Sequence, residues 1–297
     1  MEQQLPFFSI IIPTYARSGQ LGACLRSLAQ LDYPRGRFEV IVVDDGSQAP
    51  PMGITAGFAG QMDVTLLTQP HAGPAAGRNT GAARARGEFL AFTDDDCAPA
   101  PDWLHAIAAR LASAPDCAVG GRTLNALPDN PYSTASQVLI DYLYTYYDAT
   151  PDRARYLTSN NLALPAGLFR AVGGFDVGFP QAAAEDREFC HRWLRQGRRL
   201  AYAPEALIYH AHALTLGAFW RQHFNYGRGA FRFHQLCARY DREHFTIESR
   251  QFYLNLLRQP FSHARGGRAR LLASLIVISQ IANAAGFFRE GAACSAA

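Results

Sequence analysis

The chain has 297 residues, 28 of them basic and 25 acidic, for a net charge of +3, and all 28 basic residues are arginine. The lack of lysine excludes a Schiff-base amine, a pyridoxal-phosphate anchor and a Walker-type phosphate loop, so any bound phosphate must be held by arginine, backbone N–H groups or a metal. A hydrophobic content of 48% with 18% charged residues describes a folded chain with room for a large core.

In chain order, Phe7–Pro13 is a short apolar run closed by proline, as a buried strand would be. Leu21, Cys24, Leu25 and Leu28 recur at helical spacing, and Tyr33-Pro34-Arg35-Gly36 interrupts them. Phe38–Val43 is a second buried strand running into Asp44-Asp45-Gly46-Ser47, and Val64–Leu67 is a third. A loop rich in Gly and Pro leads into a helix ending near Arg86-Gly87, and Glu88–Phe92 is a strand that delivers Thr93-Asp94-Asp95-Asp96. Pro101–Ala112 reads as a helix and Ala118–Gly121 as another strand. Further on come a tyrosine-rich helix over Pro131–Tyr147 and a loop with Ser159-Asn160-Asn161. Gly173-Gly174-Phe175-Asp176 precedes a helix near Ala183–Gln196, Leu200–His210 reads as a strand, and helices follow from Leu214. Strands alternating with helices predict a mainly parallel sheet with right-handed crossovers, whose ligands sit beyond the carboxyl ends of the strands.

The charge is unevenly spread. Residues 1–194 carry 14 arginines and 20 acids, a balance of −6, whereas residues 195–297 carry 14 arginines and five acids, a balance of +9. Such a division suits an acidic site in front and a basic rear facing phosphates or an anionic membrane. The six cysteines are scattered without a CxxC, against a zinc site or disulfide framework and for a reducing compartment. Met1–Pro6 lacks the charged and apolar regions of a signal peptide.

Asp94-Asp95-Asp96 lies at the end of a predicted buried strand, where three carboxylates repel one another unless a cation or hydrogen bonds compensate. A divalent ion would do so, and so would a solvated turn that caps the next helix. Asp44-Asp45-Gly46-Ser47 lies at the same sheet edge and reads either as an Asx turn or as part of one crevice with the first cluster. The loop His71–Gly81 sets Arg78 and Asn79 near a helix start, which suits a diphosphate. Glu185-Asp186 is either ordinary first-turn acidity or a carboxylate base.

Taken together, these residues resemble glycosyltransferase family 2. The resemblance runs from Ile11-Ile12-Pro13-Thr14-Tyr15 through Val43-Asp44-Asp45-Gly46-Ser47, Gly77-Arg78-Asn79-Thr80-Gly81 and Asp94-x-Asp96 ahead of Pro101-Asp102-Trp103-Leu104. It continues to Gly173-Gly174-Phe175-Asp176 and Glu185-Asp186, covering roughly residues 7–212. It implies an A-type glycosyltransferase fold, Rossmann-like, with a mainly parallel sheet, flanking helices and a helical C-terminal extension. The expected division is a catalytic domain over 1–212 and a helical region over 213–297.

By the same resemblance, Pro13, Thr14, Tyr15 and Asp45 would hold the base and ribose, and Arg78 would lie near base or diphosphate. Asp94 would contact ribose or sugar, Asp95 would belong to the donor site without a firm role, and Asp96 would ligate Mn2+ or Mg2+. Asp186 would be the base that activates the acceptor hydroxyl, with Glu185 shaping the acceptor side. His210, with His212 as its alternate, would approach the metal. Arg221 and Arg228, seven apart on one helix face, would close over the diphosphate or form a basic surface.

The expected activity is metal-dependent, inverting transfer from a UDP-, GDP- or dTDP-linked sugar to a glycan, lipid-linked or small-molecule acceptor in cell-envelope glycan synthesis. The alternatives are a catalytically silent nucleotide-sugar-binding regulator and a nucleotidyltransferase of related fold. No nucleic-acid partner is expected. Acceptor pockets would come from 125–165 and 205–250. Leu271–Phe288 is apolar but marginal for a span, and Ser279, Gln280 and Asn283 give it a modest polar stripe. With Arg265, Arg268, Arg270 and Arg289 around it, the segment suits an interfacial helix on a cytoplasmic anionic membrane surface, or a helix packed on the domain. The expected location is the cytoplasm, peripheral to the inner membrane.

Overall fold

The structure, a computed structural model, describes residues 5–147, 154–179, 183–241 and 248–295. Parts of the two expected acceptor segments, 148–153 and 242–247, lie outside the described residues. The chain divides into two compact units, Met1–Leu124 with Asp148–Pro180 and Glu185–Ala211, and Asn125–Tyr147 with Gln181–Ala184 and His212–Ala297. The last boundary falls at residues 211–212, and the tyrosine-rich helix belongs to the unit that contains the C-terminal helices.

The first unit begins with strand β1 (Phe8–Thr14), helix α1 (Ser18–Leu28), a 3-10 turn over Arg35–Arg37 and strand β2 (Phe38–Asp44). Short helix α2 (Met52–Ala56), strand β3 (Val64–Thr68), helix α3 (Pro74–Arg84) and strand β4 (Phe89–Thr93) follow. Next come β5 (Cys97–Pro99), α4 (Trp103–Ser113) and β6 (Ala118–Asn125). Helix α5 (Pro131–Tyr147) leaves for the second unit. The first unit resumes with β7 (Asn161–Pro165), α6 (Ala166–Val172), α7 (Glu185–Arg195) and β8 (Leu200–His210). The second unit also holds α8 (Leu216–Asp241), α9 (Arg250–His263) and α10 (Gly266–Ser295).

The eight strands form one sheet in the order β3-β2-β1-β4-β7-β6-β8-β5. β3, β2, β1 and β4 are parallel, with Thr14 opposite Asp44 and Ile11 opposite Phe92. Beyond them β4 pairs with β7, β6 with β7, and β5 with β8, all antiparallel. The sheet is therefore mixed, and the expected parallel order holds only for its first half. β1 and β2 are buried along their whole length, as strands covered on both faces must be.

On one face Phe8, Ile10 and Ile12 meet Leu21, Cys24 and Leu25 of α1 and Trp103 and Ile107 of α4 in one apolar cluster. On the other face α3 lies close to the strands because Gly77 and Gly81 share its inner side. A Cβ at Gly81 would come within 2.5 Å of Ile11, and one at Gly77 within 3.2 Å of Pro13. Phe92 adds a ring cluster with Phe169, Phe175 and Phe189, with centroids 4.9–5.6 Å apart. These layers fix the strand ends, and the residues singled out in the sequence lie at the carboxyl ends of β1, β2 and β4.

In the second unit, Val138, Leu139 and Tyr142 of α5 pack with Phe252 and Leu256 of α9 and Ile276 of α10. The Tyr142 hydroxyl donates to the Phe252 carbonyl at 2.8 Å, so this tyrosine is part of a core. Backbones of α8 and α10 approach closely where Gly227 lies against Asn283 and Gly286 against Phe224. Buried Glu290 accepts hydrogen bonds from Arg228 Nε and Arg232 Nε at 2.6 Å each, which gives Arg228 a structural partner, whereas Arg221 is exposed.

Candidate active site

β1 ends at Thr14, and the chain turns sharply through Ala16, whose φ of 53° is left-handed without being glycine. The turn is held by the Ala16 N–H donating to Ser47 Oγ at 2.8 Å. Asp44, at the end of β2, accepts from the Ser47 hydroxyl and from its N–H at 3.2 Å. Asp44 therefore makes the Asx-type turn that one reading of this cluster expects.

Asp45 is buried, and its carboxylate accepts from Gln69 Nε2 at 2.6 Å, Ala72 N at 3.0 Å and Gly73 N at 2.8 Å. His71 Nδ1 is 2.9 Å from it, and the His71 ring lies 4.4 Å from the half-exposed Tyr15 ring. Gly73 at φ 90° and Pro74 at the first helical position let the two N–H groups turn toward Asp45. Pro13, Thr14, Tyr15 and Asp45 thus converge with Gln69 and His71, two residues that motif reading leaves unassigned.

The second group hangs from β4. Asp95 is buried and accepts from the Thr14 hydroxyl at 2.6 Å and from Arg17 at 3.3 Å. Burial pushes its carboxyl up to about 6, against the lowering effect of Thr14 and Arg17. Asp95 therefore ties the ends of β1 and β4 together. Asp96 accepts from Arg17 at 3.1 Å, and its other oxygen lies 3.1 Å from His210 Nε2. Register explains the meeting, because β5 and β8 pair Cys97 with His210, and the Ala211 N–H donates to the Asp96 carbonyl. Burial opposes protonation of His210, but the Asp96 carboxylate outweighs it and raises the imidazole above its ordinary value.

Donor atoms of Asp96, Cys97 and His210 all lie within 4.8 Å of one another. A carboxylate oxygen and an imidazole nitrogen at that spacing fit one divalent cation. His212 belongs to the second unit and gives its carbonyl to the Ser133 hydroxyl.

The third group is joined to the second by Arg78, which is 2% exposed. Its guanidinium donates to Asp94 Oδ1 at 2.7 Å and to Glu185 Oε1 at 3.0 Å, and lies 5.7 Å from the Phe175 ring centroid. Asn79 fixes Phe175 by two backbone hydrogen bonds, of 2.8 and 2.9 Å, and a Cβ at Gly174 would collide with its amide. Arg78 is thus an internal counter-ion between two acid groups. Burial raises the Glu185 and Asp186 carboxyls, and their shared charge raises Glu185 further, against Arg78. The Tyr156 hydroxyl donates to Asp186 Oδ2 at 3.2 Å, a partner no local motif signals.

A mixed sheet with acid clusters at the ends of β2 and β4, the second joined through Arg78 to a carboxylate pair at the start of α7, fits a sugar-transferring α/β enzyme. Residues 9–172, more than half of the chain, match the family described as glycosyl transferase family 2, and the chain belongs to that family. It is 27% identical over 231 residues to the glycosyltransferase AglE of Haloferax volcanii, covering 77% of this chain and 74% of that protein. It is 31% identical over 228 residues to the pre-mycofactocin glycosyltransferase of Mycobacterium tuberculosis, covering 75% of this chain but only 46% of that protein.

Among solved structures, the mannosyltransferase PcManGT of Pyrobaculum calidifontis, in complex with GDP-Man and Mn2+, aligns with a TM-score of 0.64 at 19% identity. The alignment covers 99% of this chain and 82% of that one. S. aureus TarS 1–349 in complex with UDP aligns at 0.56 and 20% identity, covering 96% and 92%. The fold is the A-type glycosyltransferase fold with a helical C-terminal region, and the chain is a glycosyltransferase.

Proposed function

We propose that the chain transfers a sugar from a nucleoside-diphosphate sugar to an acceptor hydroxyl with inversion at the anomeric carbon. The observation that carries this reading is the junction at Arg78, which joins Asp94 of the β4 strand end to Glu185 beside Asp186. The nucleotide would sit where Tyr15 and His71 offer ring faces beside Asp45, with Pro13 and Thr14 forming the floor. Asp94 would receive ribose or sugar hydroxyls, while Asp95 positions the strand ends.

Asp96 and His210 would hold Mn2+ or Mg2+, and a cation bound there offsets the negative charge that grows on a departing diphosphate. Asp186 would take the proton of the acceptor hydroxyl, its carboxylate aimed by the Tyr156 phenol and its raised proton affinity bringing it nearer to neutrality. Glu185, held by Arg78, would shape the acceptor side. By name, one relative glycosylates pre-mycofactocin and TarS acts on a poly(ribitol-phosphate). A cell-envelope acceptor, glycan or lipid-linked, used at the cytoplasmic face of a membrane, fits the basic rear half.

Thermal shift with UDP, GDP, dTDP and their sugar conjugates, with and without Mn2+, tests the donor. Stabilisation by one nucleotide that grows with Mn2+ is expected, and no response to any of them would sink the reading. Asp186→Asn is expected to lower turnover about 10²–10⁴-fold at near-normal nucleotide affinity. Undiminished turnover would remove it as the base.

A further inference from the structure

Helix α10 has its polarity reversed. At about 100° per residue, Val277, Ile281, Ala284 and Phe288 fall on one stripe about 60° wide. That stripe faces outward: Val277 is 43% exposed, Ile281 55% and Phe288 72%, and Ala284 is exposed too. Ser279, Gly286 and Glu290 lie on the opposite side, and Ser279 and Glu290 are buried. The polar stripe expected from the sequence thus begins on the inner face. A helix that meets only water has the opposite arrangement.

Charge indicates what covers the outer stripe. Residues 250–295 contain six arginines and one acid, Glu290, and that acid is neutralised by Arg228 and Arg232. Arg265 and Arg270 are exposed at one end of the stripe, and Arg289 at the other. Arg270 and Arg289 are 19 residues apart, about 28 Å along the axis. An apolar strip rimmed by cations that pair with no acid among the described residues is complementary to an anionic lipid surface and not to an identical, equally basic copy.

The inner side fixes the helix lengthwise. Its backbone is in close approach to α8 at Gly227 and Gly286, and the Glu290 pairs anchor its far end. By length and composition alone, α10 meets the requirement for a bilayer span. Crossing would strip away these contacts and leave Glu290 and Arg289 in hydrocarbon.

We infer that α10 docks flat on an anionic bilayer through Val277, Ile281, Ala284 and Phe288, with Arg265, Arg270 and Arg289 among the headgroups. This deepens the membrane-facing part of the proposed function, but it stands on α10 alone. The test is flotation of the full chain with vesicles of phosphatidylglycerol and phosphatidylcholine, and with phosphatidylcholine alone. Binding to the anionic vesicles that weakens with salt is expected. Ile281→Glu with Phe288→Glu should weaken it at least tenfold, and Arg270→Glu with Arg289→Glu should weaken it similarly, both with unchanged circular dichroism.

If the glutamates disturb folding, Ile281→Ser with Phe288→Ser serves the same end. No vesicle binding, equal binding to neutral vesicles, or binding indifferent to the apolar pair would overturn the inference. So would carbonate-resistant insertion, or a dimer in sedimentation equilibrium that Ile281→Glu dissociates. Failure of the unsubstituted chain to bind vesicles, with an intact nucleotide-induced thermal shift, refutes this inference alone, and vesicle binding without any nucleotide-induced shift refutes the donor reading alone.

Discussion

Replacing Arg78 by methionine removes the one cation, among the described residues, that touches both Asp94 and Glu185. The two acids are not equally dependent on it. The Asp94 side chain is 31% exposed and keeps part of its hydration, whereas Glu185 at 4% has almost none. Taking one partner from a buried ion pair costs about 3–5 kcal/mol because a desolvated charge is stranded. Glu185 has an escape, since burial already raises its proton affinity and Arg78 is the opposing influence.

The sign of the pH dependence follows. A carboxyl with a raised folded pKa binds more protons when folded, so its contribution to stability falls as pH rises through the window between its unfolded and folded values. Arg78→Met widens that window upward. The cost should therefore be about 3–5 kcal/mol at pH 8, and near pH 5, where Glu185 protonates, about 1–2 kcal/mol for lost neutral hydrogen bonds. Urea unfolding followed through Trp103 and Trp193, both buried in the first unit, measures it. Arg78→Met with Glu185→Gln should regain most of the loss. Equal costs at the two pH values, or single-variant costs that add within about 0.5 kcal/mol, would refute the reasoning.

Other outcomes follow from the remaining contacts. Asp45→Asn leaves one of the Gln69, Ala72 and Gly73 donors without an acceptor. Nucleotide affinity measured by calorimetry should fall about tenfold or more, from about 1.5–3 kcal/mol per charged hydrogen bond; unchanged affinity would detach Asp45 from the nucleotide. Tyr156→Phe removes a hydrogen bond that favours the Asp186 carboxylate. The acid limb of kcat/KM should move to higher pH by about one unit, and a limb that stays put or moves down would separate Tyr156 from the base.

The fold was legible where burial is continuous. β1, β2 and β4 are apolar runs, the last two leading straight into acids, and the expected bounds of Pro131–Tyr147 and Leu200–His210 coincide with α5 and β8. β7 was hidden by Asn161, which reads locally as a turn residue. In place, its amide accepts from Trp103 Nε1 at 2.9 Å and donates to the Ala206 carbonyl at 2.9 Å, so it is satisfied inside the sheet. The space for it comes from Gly121, where any Cβ would strike that amide. Antiparallel pairing in the second half was illegible for the same reason, because partners 40 or more residues away decide it. The acids of the site stood out as clusters, whereas Arg17 and Tyr156 are defined only by contacts 78 and 30 residues distant.

Arg78 also gives the missing lysines a local meaning. An ammonium is a point charge that loses its proton readily when buried, whereas a guanidinium stays charged and presents separate N–H groups along a plane. Here Nη1 reaches Glu185, Nη2 reaches Asp94 and the plane lies near Phe175, three contacts that one ammonium cannot make together. Arg78→Lys should therefore behave like Arg78→Met in most respects, recovering less than half of the stability lost at pH 8. Its recovered part should shrink as pH rises further, because the buried amine deprotonates. Full rescue by lysine would mean that positive charge alone joins the two acid groups, and the geometry of the guanidinium would then explain nothing.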